Sequence, residues 1–152
     1  MADSEPDQQH RRTVIVASGA TCLAIGLMAW DHLWGNDRGP DDSFPVDPAT
    51  FFISLALIVT AAVLLFGITV RRAAAHPATV HRDALIHSGV ALALAIPLSW
   101  LGFPVVVAGA GVALGLQSLG GTHRRVAIAA IGVGLLVIVF AILGTAFPTT
   151  DD

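Results

Sequence analysis

Apolar residues along this chain fall in blocks rather than alternating. Four long runs stand out, at 13–30, 49–70, 84–119 and 126–147, and the segments between them carry nearly all the charge. Helical runs of about 20 uncharged apolar residues suit a hydrocarbon core of roughly 30 Å. The third run is too long for one crossing, since a single helix over 84–119 would extend about 54 Å. Its only punctuation is Trp100-Leu101-Gly102-Phe103-Pro104. Gly102 suits the end of one helix, and Pro104 suits the first turn of the next. The pattern predicts an all-α integral membrane protein, a bundle of five transmembrane helices at about 13–33, 49–71, 84–100, 103–120 and 124–147. Pro97 is expected to kink the third helix, because its ring removes a backbone hydrogen bond. Residues 1–12 then form a flexible cytoplasmic tail, 31–50 an external loop within the single membrane domain 13–147, and 148–152 a short external tail.

Charge placement orients the bundle. Arg11 and Arg12 precede the first run, Arg71, Arg72 and Arg82 separate the second from the third, and Arg124 and Arg125 precede the last. Five crossings bring all three groups to one side, and short Arg-rich loops stay cytoplasmic. The N-terminus is therefore expected inside and the C-terminus outside. Trp30, Trp34, Phe44, Phe51, Phe52, Trp100, Phe103 and Phe147 all fall at the outer ends, where aromatic rings favour the interface.

Composition strengthens this reading. Apolar residues make up 55% of the chain and charged residues only 12%, about half the charged share of a soluble domain. Lysine is absent, so arginine supplies all the basic charge; with the abundance of alanine, glycine and valine this points to a GC-rich prokaryote and its cell membrane. Arg11 and Arg12 before an apolar run resemble the start of a signal peptide, but no A-x-A site closes the run, and it is read as a first transmembrane helix. The lone Cys22 lies within that run, behind a threonine that fits no lipoprotein cleavage box, and is read as a small hydrophobe.

Candidate contact faces follow from small residues at four-residue spacing, which let membrane helices approach closely. They are Ser18, Cys22 and Gly26 in the first helix, Gly89 and Ala93 (with Pro97) in the third, Gly111 and Gly115 in the fourth, and Ala130 and Gly134 in the fifth. Ser54, Ser88, Ser99 and Ser118 are expected to bond their own backbone or a neighbouring helix. The 31–50 loop is acidic and stiffened by Pro40, Pro45 and Pro48; its Trp34 and Phe44 are candidate anchors for an external partner. Its spacing of acidic residues does not form a calcium loop.

Apart from those at the ends, no Asp, Glu or Arg lies within the proposed spans, which argues against proton relay through membrane carboxylates. His87 is the exception, about one turn into the third helix. Asp83, four residues earlier, could orient its ring, and His76, His81 and His123 lie toward the same side. The spacings match no metal or haem motif, so no cofactor and no metal are expected, with His87 the one candidate ligand. No nucleophile–base set, phosphate loop or nucleic-acid-binding pattern is present. The expected function is a non-catalytic accessory subunit packing in the lipid bilayer against other membrane protein subunits or copies of itself. A homo-oligomeric transporter or channel for small solutes or ions is the alternative, and a haem- or metal-binding redox subunit using His87 stands third.

Overall fold

The computed structural model describes residues 5–34, 48–96, 98 and 102–146, and no strand occurs among them. The elements are α1 (Glu5–Trp34), α2 (Pro48–Leu64), a π-helical segment (Leu65–Val70), α3 (Arg71–Ala74), α4 (Val80–Leu94), α5 (Phe103–Ser118) and α6 (Arg124–Ala146). Because α2, the π segment and α3 run on as one, the described residues form five rods. Three stretches, Gln8–Trp30, Ala49–Ala74 and Arg124–Thr145, are long and apolar enough to cross a membrane, and α5 is a shorter apolar helix.

The boundaries depart from the hydropathy pattern in three places. Residues 5–12, expected as part of a flexible tail, are helical and continue α1 outward. Pro6 suits a first helical turn, and Gln8, Gln9, Arg11 and Arg12 are good helix formers. The helix expected at 84–100 instead runs Val80–Leu94, with Leu98 N–H still bonding Leu94 O at 3.0 Å beyond its end. Ala95 N–H bonds Leu92 O at 3.2 Å, a tightened last turn. A proline ring collides with the carbonyl four residues back and disfavours helix at its predecessor, which accounts for the stop. Finally, the π segment interrupts the second rod, where Thr69 Oγ1 donates to Leu64 O five residues earlier at 3.4 Å. Pro97, Ser99, Trp100 and the 35–47 stretch with Phe44 lie outside the described residues.

The expected turn glycine is present: Gly102 has φ +66° and directly precedes α5, with Pro104 in the first turn. A Cβ at Gly102 would lie 2.7 Å from Ala24 O, so the backbone rests on α1 at this point. From Ala24, α1 continues about 15 Å farther to Trp34.

α5 is the centre of the bundle. Every residue from Pro104 to Gly115 is buried, and α1, α2, the π segment, α3, α4 and α6 all pack on it. This explains why α5 shows no polar stripe: a helix apolar on all sides needs protein or lipid on all sides. Its glycines admit the neighbours. Gly109 meets Ala20 of α1 and Phe66 of the π segment, Gly111 meets Ala84 and Ser88 of α4, and Gly115 meets Ala127 and Ile131 of α6. α4 and α6 also pack firmly on each other, α1 packs on α2, and α1 touches α6 lightly. No packed interface joins α2 to α4, so the ring around α5 is open on that side.

The basic groups collect at one end. Gln117 Nε2, in the last turn of α5, donates to Thr13 Oγ1 of α1 at 2.9 Å. The rings of His81 and His123 stack at 4.0 Å with 18° between planes, tying the start of α4 to the α5–α6 turn. Arg12, Arg82 and Arg124 neighbour these contacts in sequence, and Arg71 shares a cavity with Gln117.

Candidate functional site

The small-residue faces divide sharply. Gly111, Gly115, Ala130 and Gly134 lie in the α4–α5–α6 junction. A Cβ on Gly111 would lie 2.9 Å from Ser88 N and 3.2 Å from Ala84 O, and closer still to Ser88 Oγ. One on Gly134 would lie 2.7 Å from Val112 Cγ2 and 3.1 Å from Ala108 O. Ser88, fully buried, donates its hydroxyl across the junction to Ala130 O at 2.8 Å. Ser118 bonds Gly115 O at 3.0 Å, a local bond of the kind expected for a helical serine.

Ser18, Cys22 and Gly26 are exposed on α1, and Gly89 and Ala93 are exposed on α4. Nothing lies within 4 Å of a Cβ placed on Gly26 or Gly89. Within this chain α1 packs through a different row, Ala20, Ala24 and the larger Met28, offset by two positions. α4 likewise packs through Ala84, Ser88, Ala91 and Ala95. Residues two apart on a helix point some 200° apart, so the expected stripes face outward. The outward side of α1 is also unusual for its small side chains. α2 and α6 expose Phe52, Ile53, Leu57, Val63, Leu135, Leu136, Val139 and Phe140, whereas mid-α1 exposes Ser18, Gly19, Cys22 and Gly26. Trp34 closes α1, and Phe44, its proposed companion, is outside the described residues.

His87 lines the open side of the ring. There, a crevice of about 480 Å³ lies between Leu57, Thr60 and Leu64 of α2 and Ile86, His87 and Val90 of α4, with Phe103 and Val107 as its floor. The His87 ring is oriented by the Asp83 backbone carbonyl, 2.7 Å from Nδ1, and not by the Asp83 carboxylate. A carbonyl only accepts, so Nδ1 carries a proton and donates. His76 Nδ1 makes the same kind of bond to Arg72 O at 2.9 Å. Among the described residues no three His, Cys, Asp or Glu side chains converge, and His81 and His123 stack on each other.

Gln117 escaped the sequence reading. The Thr13 hydroxyl donates to Gln9 O at 3.1 Å, so its single proton is committed, and the amide group facing it must be the donating NH2. Gln117 Oε1 is therefore turned away; it is buried and has no hydrogen-bond partner. Cavities of about 250 and 360 Å³ flank it, the first reaching His10 and Arg71 and the second reaching Gln8 and Arg12. The available signal was a lone amide among Leu116, Ser118 and Leu119 at the end of an apolar helix, a place where polar side chains form specific bonds.

The chain matches no protein-family model and is similar to no curated protein and no solved structure.

Proposed function

We propose that this protein is a five-span membrane protein, N-terminus in the cytoplasm, that serves as a non-catalytic subunit and binds another membrane protein through the outer face of α1. The observation that carries the reading is the Ser18–Gly19–Cys22–Gly26 surface, exposed and free of intrachain neighbours at both glycines. Helices facing only lipid have no use for a flat, small-residue surface, whereas close helix pairing does, since van der Waals contact and lipid release drive it. The large aliphatic surfaces of α2 and α6 suit acyl chains instead. The gathering of Arg12, Arg71, Arg82 and Arg124 at one end supports a single cytoplasmic face under the positive-inside rule. α4 and α5, at 15 and 16 residues, form a short hairpin in which α5 is enclosed and α4 keeps an exposed apolar face.

Cys22 sits in the centre of the surface as the sole cysteine, which makes a direct test available. Membranes containing the protein are oxidised, extracted in mild detergent and sized with and without Gly26→Leu. The expected result is a complex heavier than one chain that Gly26→Leu reduces to the single-chain mass, while Gly132→Leu on the exposed side of α6 leaves it intact. A Cys22–Cys22 cross-link identifies the partner as a second copy. A single-chain mass for the wild type would refute the reading.

A further inference from the structure

We propose that the open crevice between α2 and α4 receives α1 of a second copy of this chain, so that copies join head to tail within the membrane. The inference rests on the α1 surface of the proposed function and names its partner. The two surfaces are opposite in bulk. Leu57 and Leu64 of α2 and Ile86 and Val90 of α4 rim the crevice with large, exposed side chains. Mid-α1 presents Ser18, Gly19, Cys22 and Gly26, and nothing lies within 4 Å of a Cβ placed on either glycine. Association in lipid depends on fit, and large side chains seated over a bare backbone supply it. The α4 rim leaves the way clear. Gly89 and Ala93, one turn beyond Ile86 and Val90, are exposed and too small to hold a helix off.

Depth singles out a second copy as the occupant. Copies inserted the same way in one bilayer meet only where their surfaces stand at the same level, and the contacts of α5 grade the levels of α1. Gly102 rests on Ala24, Gly109 meets Ala20, and Gln117 bonds Thr13. Phe103 and Val107, the crevice floor, fall between Gly102 and Gly109, so the floor is level with Ala20–Ala24 and therefore with Cys22. Gly111 meets Ser88 and lies about 3 Å deeper than Gly109, which brings the neighbouring His87 level with Ser18. The stripe from Ser18 to Gly26 and the α2 wall from Leu57 to Leu65 each extend about 12 Å. Polar groups are matched too. Ser18 is an exposed hydroxyl on α1 and His87 the ionisable side chain of the crevice, and docking carries the one to the other, a kind of bond that holds membrane helices together. Because the two surfaces differ, the contact is heterologous, and a row of copies ends only by closing into a ring.

The test is cross-linking of the full chain in membranes. Val90→Cys is introduced beside the native Cys22; Val90 stands one turn outward of His87 and so within a turn of the Cys22 level. Membranes are treated with copper phenanthroline, which enters the apolar phase, and run without reductant. A disulfide requires Cα atoms within about 7 Å, so only seated copies react. The expected result is a ladder of dimers, trimers and larger species, because each copy carries one cysteine on each surface. Co-expression of a chain with Cys22 alone and a tagged chain carrying Cys22→Ala with Val90→Cys should give a mixed dimer and no dimer of either with itself. Ala61→Phe, which fills the crevice from its own wall, is expected to abolish the ladder while leaving the circular dichroism and the SDS midpoint unchanged. Gly89→Leu, which adds bulk at the rim, is expected to do the same. A Cys22–Cys22 dimer without a ladder, or capture of a different protein by Cys22, overturns the head-to-tail contact and leaves the α1 surface standing. A ladder that survives both blocking changes also overturns it. A single-chain mass without any cross-link removes both readings together.

Discussion

Gly111→Ala adds one methyl group at the tightest point of the bundle, and its effect can be worked out from the neighbours. The new Cβ would lie 2.9 Å from the Ser88 backbone nitrogen and 3.2 Å from Ala84 O, so main chain rather than a flexible side chain must yield. Overpacking of this kind costs about 1–3 kcal/mol. Ser88 Oγ is also displaced from Ala130 O, where an interhelical bond in a membrane averages roughly 0.6 kcal/mol. Alanine gains up to about 1 kcal/mol over glycine in a helix interior, which offsets part of the loss. The net expectation is a destabilisation of about 1–3 kcal/mol. Gly89→Ala provides the control, since that glycine is helical but faces open space. Only the helix-propensity gain remains, so Gly89→Ala is expected to be neutral or stabilising by up to about 1 kcal/mol. The assay is equilibrium unfolding in mixed micelles of increasing SDS fraction, followed by far-UV circular dichroism. The double variant Ser88→Ala with Gly111→Ala removes the Oγ collision but keeps the backbone one, and should recover only part of the loss. Equal midpoints for Gly111→Ala and Gly89→Ala would show that α4 and α5 do not approach as described.

Ser88→Ala alone is expected to cost roughly 0.6–1.7 kcal/mol in the same assay, because Ala130 O loses its cross-helix donor; an unchanged midpoint argues against the bond. Gly102→Ala should lower the thermal midpoint more than any exposed Gly→Ala change, since it combines a left-handed backbone with a Cβ 2.7 Å from Ala24 O. Deleting Gly67 removes one residue from the π segment and is expected to leave a folded protein with a regular helix, whereas deleting Val63 in α2 turns Phe66 and Val70 off the core and should abolish folding. Comparable yields of the two deletion variants in detergent would contradict this account. Cys22 in intact membranes should resist a charged maleimide, and modification by it would place the thiol in water.

Hydropathy alone located the rods, because the contrast between lipid-soluble and charged segments is set residue by residue. It also found Gly102 and Pro104, whose backbone preferences are local. Which face of each rod turns inward was not legible in the same way. α1 carries two rows at four-residue spacing, Ser18-Cys22-Gly26 and Ala20-Ala24-Met28, and the second packs because Gly109 admits Ala20 and Gly102 admits Ala24. The π segment left no trace in Leu65–Val70, since an extra residue per turn is imposed by the contacts of Phe66 and Val70 on either side. Gln117 was overlooked because an amide near a helix end resembles an ordinary surface residue until Thr13 is brought against it.

The enclosure of α5 also has a meaning in time. Ribosomes deliver helices in order, so α1, α2 and α4 already exist when α5 emerges, but α6 does not. Until α6 is complete, the Gly115 side of α5 that receives Ala127 and Ile131 has no occupant. Assembly of the centre therefore waits for the last rod, and truncations that remove α6 should expose a thin, glycine-lined helix to quality-control proteases rather than yield a smaller stable bundle.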